Sequence, residues 1–176
     1  MFKDFKPVLL ILVRFLAIYL VMIFLYQLYL NHYQFQLVDP ITGFTAQAVD
    51  GFQKMLGYRS ELKDLPGWHS ILFLLDGEGT TRIVEGCNAV SVIILFVAFV
   101  LAFYNGWRTF VFILLSLVFI VGINIARIAG LNILYKEMPQ YIKIGHDYFF
   151  PAIIYGSIVV LWLVWIKFFV LKDEKA

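Results

Sequence analysis

Three side chains in this sequence have the types that thiol-based acyl transfer requires: the only cysteine, Cys87, the arginine Arg127 within an apolar run, and the histidine His146 shortly before another. A thiolate attacks a peptide carbonyl, a guanidinium holds the oxyanion that develops, and an imidazole carries the proton to the leaving group. Glu85 and Asn88 flank the cysteine, and Asn124 lies one helical turn before the arginine, so these three are candidate supporting residues. Each principal residue also has a plainer reading. A single cysteine forms no internal disulfide and is commonly a small packed hydrophobe. Arg127 could be an anchor snorkelling to headgroups, and His32 and His69 compete with His146. Glu85 and Asp147 could orient a histidine, although such carboxylates are more often solvated. The chemical reading gains from the polar neighbours of Cys87 and from its place at a helix start, where the N-terminal dipole favours a thiolate. It also gains from Arg127, which costs about 2.5 to 3.5 kcal/mol at mid-membrane on insertion scales unless it faces an interior site.

The elements that must position these groups are membrane spans. Of the 176 residues 62% are hydrophobic and 15% charged, where soluble domains run near one half and one quarter. Eighteen Phe, ten Tyr and four Trp suit lipid-facing and interfacial positions. A net charge of +2, carried by scattered Lys and Arg, excludes a nucleic-acid footprint. The expected class is an all-α integral membrane protein, one small bundle over residues 1–176, with spans near 8–30, 87–104, 110–134 and 149–171. The short Asn105 to Thr109 linker makes the second and third spans antiparallel. Cys87 then opens the second span, Arg127 sits about two turns before the end of the third, and His146 lies just before the fourth.

Basic residues orient the bundle. Lys3, Lys6, Arg14, Arg108, Lys167, Lys172 and Lys175 fall on one side of a four-span chain, while the opposite side receives the segment 31–86 and the Tyr135 to Tyr148 loop. Both termini are expected inside, and the three reactive residues outside. Within the long segment, Phe44, Ala48, Phe52, Met55 and Leu56 recur at helical spacing opposite Gln47, Asp50 and Lys54, as in an amphipathic helix on the outer surface. Trp68 to Leu75 is apolar but too short to span, and reads as re-entrant or interfacial. Gly77 to Thr80 reads as a turn, after which Thr81 to Glu85 runs extended into Cys87.

The segment Ile83-Val84-Glu85-Gly86-Cys87-Asn88-Ala89 resembles the cysteine motif of the exosortase and archaeosortase family. Asn124-Ile125-Ala126-Arg127 is similar to its arginine motif, and His146-Asp147 falls where the family places its third residue. The likeness covers roughly Thr80 to Val170, and the short length with the stretch from His146 to Pro151 looks most like the compact exosortase F branch. Ala89 stands where many relatives have Gly. The resemblance implies a membrane-embedded cysteine transpeptidase in the bacterial inner membrane, its site facing the periplasm or cell exterior. Its substrates would be membrane-anchored proteins ending in a short motif, an apolar span and a basic tail. Cys87 would attack the carbonyl, Arg127 would stabilise the oxyanion, and His146 would shuttle the proton, with no cofactor and no metal expected. The rival class is a non-catalytic membrane scaffold, which composition alone fits equally well. A small transporter has little support, since four spans lack paired broken helices.

Overall fold

The computed structural model describes residues 2–36 and 38–171. Helix α1, Phe2–Tyr33, is followed by α2, Pro40–Met55, and by three antiparallel strands: β1, Ser60–Leu65, β2, Ser70–Leu75, and β3, Glu78–Ile83. Three further helical stretches close the chain: α3, Val90–Ala102, α4, Gly106–Glu137, and α5, the continuous helical run Pro139–Val170. Helices α1, α4 and α5 are long and apolar enough to cross a membrane, and α3 is a shorter apolar helix. Three of the four expected spans are thus long apolar helices, and the second, expected over 87–104, holds the shorter α3. Lys172 and Lys175, counted in the basic set, lie outside the described residues.

The helices run up and down between two ends. At one end Ile11, Arg14, Phe103, Asn105 and Val170 line a common cleft. There the Asn105 side-chain amide donates to the Phe169 carbonyl (2.6 Å), tying the tight α3–α4 turn to the end of α5. Above it Phe96, Val100, Ile120, Ile158 and Trp165 form a core inside the bundle, and the Trp165 ring stacks on Phe169 (4.9 Å between centroids). The opposite end carries α2 and the sheet. A second core fills the space between them: Ala46 and Val49 of α2, Ile71, Phe73 and Ile83 of the sheet, and Ile128 and Ala129 of α4.

The sheet is the main departure from the expected fold. The stretch Trp68 to Leu75, read as re-entrant or interfacial, holds strand β2, which pairs with β1 on one side and β3 on the other. The β2–β3 turn is centred on Asp76 and Gly77, both at positive φ (52° and 86°), and Gly79 and Thr80 belong to β3. An Asp-Gly pair suits this turn because its two central residues need left-handed backbone. Alternation then sends Ile71, Phe73 and Leu75 inward, where all are buried.

Helix α2 forms at its expected position but buries another face. Asp39 caps it, accepting from the Ile41 and Thr42 amides (3.0 and 3.1 Å), and Pro40 opens the first turn. Thr42, Thr45, Ala46, Val49 and Gln53 face the protein, whereas Phe44 is 64% and Met55 85% exposed. Polar residues on the inner face are paired through their oxygens: the Ser60 hydroxyl donates to Gln53 Oε1 (2.9 Å), and Asp39 receives the Thr42 hydroxyl, while Gln53 Nε2 is buried without a partner among the described residues. The apolar stripe of Phe44, Met55 and Leu56 thus points outward, at the level where the spans end.

Asp76 fastens the hairpin tip. Its Oδ1 accepts from the Arg59 amide (2.9 Å), its own amide donates to the Arg59 carbonyl (2.8 Å), and its Oδ2 pairs with Lys136 at the end of α4. The Lys136 ammonium, and then the Arg59 amide, hold the Asp76 carboxyl below its ordinary value. A carboxylate lowered on folding contributes stability above the unfolded value of about 3.9, and that contribution is lost as pH falls through the lower folded one. Asp76→Asn is expected to lower the melting temperature at neutral pH in low salt, with the gap to wild type closing on acidification below about pH 4. Thermal scans of both proteins in the same detergent, across pH, measure this; a gap constant with pH would show that the charge contributes nothing.

Candidate active site

One cavity of about 350 Å³ opens where β3, α4 and α5 meet at the sheet end. Cys87, Arg127 and His146 all line it, together with Thr80 to Ile83 of β3, Ile128, Leu131 and Tyr135 of α4, and Ile142 of α5. His69 does not: its Nδ1 lies 3.0 Å from the Gln36 carbonyl, on the surface. His32 stacks edge-on against Tyr33 at the end of α1. Glu85 is exposed and is not part of the lining.

Cys87 does not open the second span. It ends a turn in which its amide donates to the Val84 carbonyl (3.1 Å), and α3 begins only at Val90. Gly86 (φ 88°) and Ala89 (φ 61°) bracket this turn in left-handed backbone. At both positions glycine is the unstrained residue, and an alanine there carries a cost of about 1–2 kcal/mol. Such a cost persists only where the surroundings fix the chain. Here Asn124 of α4 donates its amide to the Cys87 carbonyl (2.9 Å). Asn88 is buried, accepts the Val90 amide (3.1 Å), and donates to Thr42 Oγ1 (3.0 Å) and to the Tyr26 hydroxyl (3.1 Å). The thiol itself is half-buried, against the core beneath the sheet.

Arg127 lies on the face of α4 that also carries Asn124, Ile128 and Leu131, all buried. Its guanidinium is within electrostatic reach of Cys87 and Tyr155, and its Nε is buried without a hydrogen-bond partner among the described residues. A buried donor with no acceptor is a group available to an incoming oxygen. One turn further on, Asn132 Oδ1 accepts from the hydroxyls of Thr80 (3.1 Å) and Thr81. The polar side of α4 therefore holds the chain at β3, at Cys87 and at the cavity between them.

His146 sits inside α5, in a π turn over Gly145–Phe149, and not in the loop that its sequence position suggested. Pro151 supplies a local reason: it has no amide to bond the Asp147 carbonyl four residues back, and a widened turn accommodates that gap. The imidazole is exposed, with Nδ1 2.9 Å from Asp147 Oδ1. If Nδ1 carries the proton to that carboxylate, Nε2 is the basic nitrogen. Two glycines set the separation of α4 and α5. A Cβ on Gly145 would lie 2.4 Å from Leu134 Cδ2, and one on Gly130 would lie 3.0 Å from the Phe150 ring. Neither glycine is conspicuous in the sequence, because small residues matter only once the facing helix is known. Arg82, likewise unremarkable by position, is a second cation at the cavity, with its guanidinium 4.9 Å from the centre of the Trp68 ring.

The bond from Asn124 to the Cys87 carbonyl yields a stability prediction. Removing one partner leaves a part-buried acceptor unpaired, which costs about 1–3 kcal/mol. Asn124→Ala is expected to lose stability of that order in reversible unfolding in detergent, and Asn124→Asp, which keeps the shape but not the donor, to lose at least as much.

The family model for transmembrane exosortases matches residues 6–170 of the chain. No curated protein and no solved structure matches it. The match runs from the first span to the end of the last and takes in the cysteine, arginine and histidine segments that the fold gathers at one cavity. The chain belongs to the transmembrane exosortase family.

Proposed function

We propose that this protein is a membrane-embedded cysteine peptidase and transpeptidase that removes the C-terminal sorting signal of exported, membrane-anchored proteins. The observation that carries the reading is the shared cavity: Cys87, Arg127 and His146 come from three separate elements and line one space at one end of the spans. Cys87 as thiolate attacks the carbonyl at the signal's cleavage point. The oxyanion forms against the Arg127 guanidinium, whose Nε has no partner among the described residues. The imidazolium of His146, oriented by Asp147, gives its proton to the leaving amine, and the C-terminal part of the substrate departs. The thioester on Cys87 is then resolved by water or by an amine acceptor, with His146 now taking the proton. Asn124 and Asn88 are positioning residues that hold the turn bearing the thiol, and Glu85 has no part in the cavity.

Depth fits such a substrate. From Gly106 to Asn124 is about 27 Å along α4 at about 1.5 Å per residue, so the thiol lies near the far boundary of a core of about 30 Å. A signal whose apolar span sits in the bilayer presents the residues just before that span at this level. The basic residues Lys6, Arg14, Arg108 and Lys167 belong to the other end, which supports a cytoplasmic side there and a cavity at the periplasmic or outer face of the bacterial inner membrane. The stretch from His146 to Pro151 supports a place in the exosortase F branch.

Two experiments test this reading. Reporter fusions after Asp64 and after Gln140 are expected to report the outer compartment, and a cytoplasmic signal at either would overturn the orientation. The second is a substitution series scored by processing of proteins from the same genome that end in a short motif, an apolar span and a basic tail. Cys87→Ala and His146→Ala are expected to abolish processing at normal enzyme abundance, and His32→Ala and His69→Ala to leave it within a few-fold. Arg127→Lys, which replaces a planar fork of donors by a point charge, is expected to reduce it about 100- to 1000-fold. Normal processing by Cys87→Ala would end the catalytic reading.

A further inference from the structure

Resting on that reading of Cys87, we propose that the substrate residues immediately N-terminal to the cleaved bond bind as a fourth strand on the free edge of β3, parallel to it. The sheet order is β1-β2-β3, so β3 has a strand on one side only. Among the described residues no backbone group of β3 bonds to a backbone group outside the sheet. An unpaired edge is a template for another chain, and proteins ordinarily cover or blunt it. Here the edge borders the cavity. Thr80, Thr81, Arg82 and Ile83 are consecutive, and all four line it. Successive side chains of a strand point to opposite faces, so a cavity lying against one face would be lined by alternate residues. A bulge at Thr80 and Thr81 breaks that alternation, but Arg82 and Ile83 keep it and both line the cavity, which therefore wraps the edge of β3 at the end nearest Cys87.

Four residues beyond Ile83 stands Cys87. The strand therefore leads from the sheet to the thiol, and a peptide paired along it reaches the thiol with its carbonyl. Direction follows from the layout. The folded part of the substrate is on the sheet side and its apolar span is in the bilayer, so its chain runs from the sheet toward Cys87, as β3 does. The far wall comes from Leu131 and Tyr135 of α4 and from Ile142 and His146 of α5. The volume of about 350 Å³ lies within the usual range of ligand sites, about 300 to 1,000 Å³. Pairing by main chain makes affinity depend little on sequence, and leaves specificity to alternate side chains. One set would face Leu72 and Arg82, which pair across β2 and β3.

The test uses the full-length wild-type protein in nanodiscs and the peptide acetyl-Val-Thr-Val-Ala chloromethyl ketone. Its methylene carbon forms a thioether with the Cys87 sulfur as chloride leaves. Four analogues each carry one backbone N-methyl group, which removes one donor. Inactivation rate constants are divided by the rates of the same reagents with free cysteine. Strand addition predicts losses of about 3- to 10-fold or more at every second position, and changes under about twofold at the positions between. Equal losses at all four positions, or none, would overturn it, as would no labelling by the peptide reagents. Iodoacetamide, too small to use the edge, separates this outcome from failure of the catalytic reading. Faster labelling of Cys87 than of free cysteine at neutral pH supports the nucleophile whatever the peptides do. Ordinary iodoacetamide reactivity with an alternating peptide pattern would keep the strand site and overturn the activated thiol.

Discussion

Irregular backbone near the membrane boundary is the constraint on which the rest of this structure depends. Water is scarce there, and an unpaired amide or carbonyl costs far more than at a soluble surface. The chain between β3 and α3 is neither strand nor helix, and it carries Cys87. Its carbonyl is taken by Asn124, and the first amide of α3 by Asn88. Asn88 in turn requires Thr42 and Tyr26, and Thr42 is held by Asp39, which also receives the Tyr29 hydroxyl (3.3 Å). The placement of α2 against α1 is thus a continuation of the hydrogen bonding that makes one exposed turn affordable.

Helix α4 is the common reference for everything at that end. Along one side it offers Asn124 to the cysteine turn, Arg127 to the cavity and Asn132 to β3, while Ile128 and Ala129 enter the core under the sheet. Its glycine Gly130 and its residue Leu134 receive α5 at close range, opposite Phe150 and Gly145. A rigid helix fixes these heights relative to one another at about 1.5 Å per residue. Cys87 and His146 consequently have their depth set by the same ruler, although they reach the cavity from different parts of the chain.

Much of this was legible in the sequence because long apolar runs have only one common explanation, and because polar residues inside them are expensive enough to mark interior positions. Cys87, Arg127 and His146 could be set at one level by counting residues from span ends, and the fold does bring them to one cavity. The sheet was not legible. The six residues of β2 form a short apolar run that periodicity alone cannot distinguish from a helix segment, and β1, with Glu61, Lys63 and Asp64, looks like solvated chain. The amphipathic helix α2 was legible at its place, but the division of its apolar stripe was not: Phe52 packs on the core under the sheet, while Phe44, Met55 and Leu56 stay exposed. Gly145, Gly130 and the π turn at His146 depend on a partner helix and were invisible for that reason.

Helix α3 has 13 residues, about 20 Å at about 1.5 Å per residue, against a hydrocarbon core of about 30 Å. It packs against α1, α4 and α5. Those longer neighbours shield it, so lipid cannot absorb the mismatch by thinning around it, as it would around an isolated short helix. The N-terminal end of α3 is continued by the turn that carries Cys87, so at that end non-helical chain stands where a full-length span would carry helix. The short helix thereby leaves the polar groups of that turn within reach of three neighbours at once, Tyr26 of α1, Thr42 of α2 and Asn124 of α4.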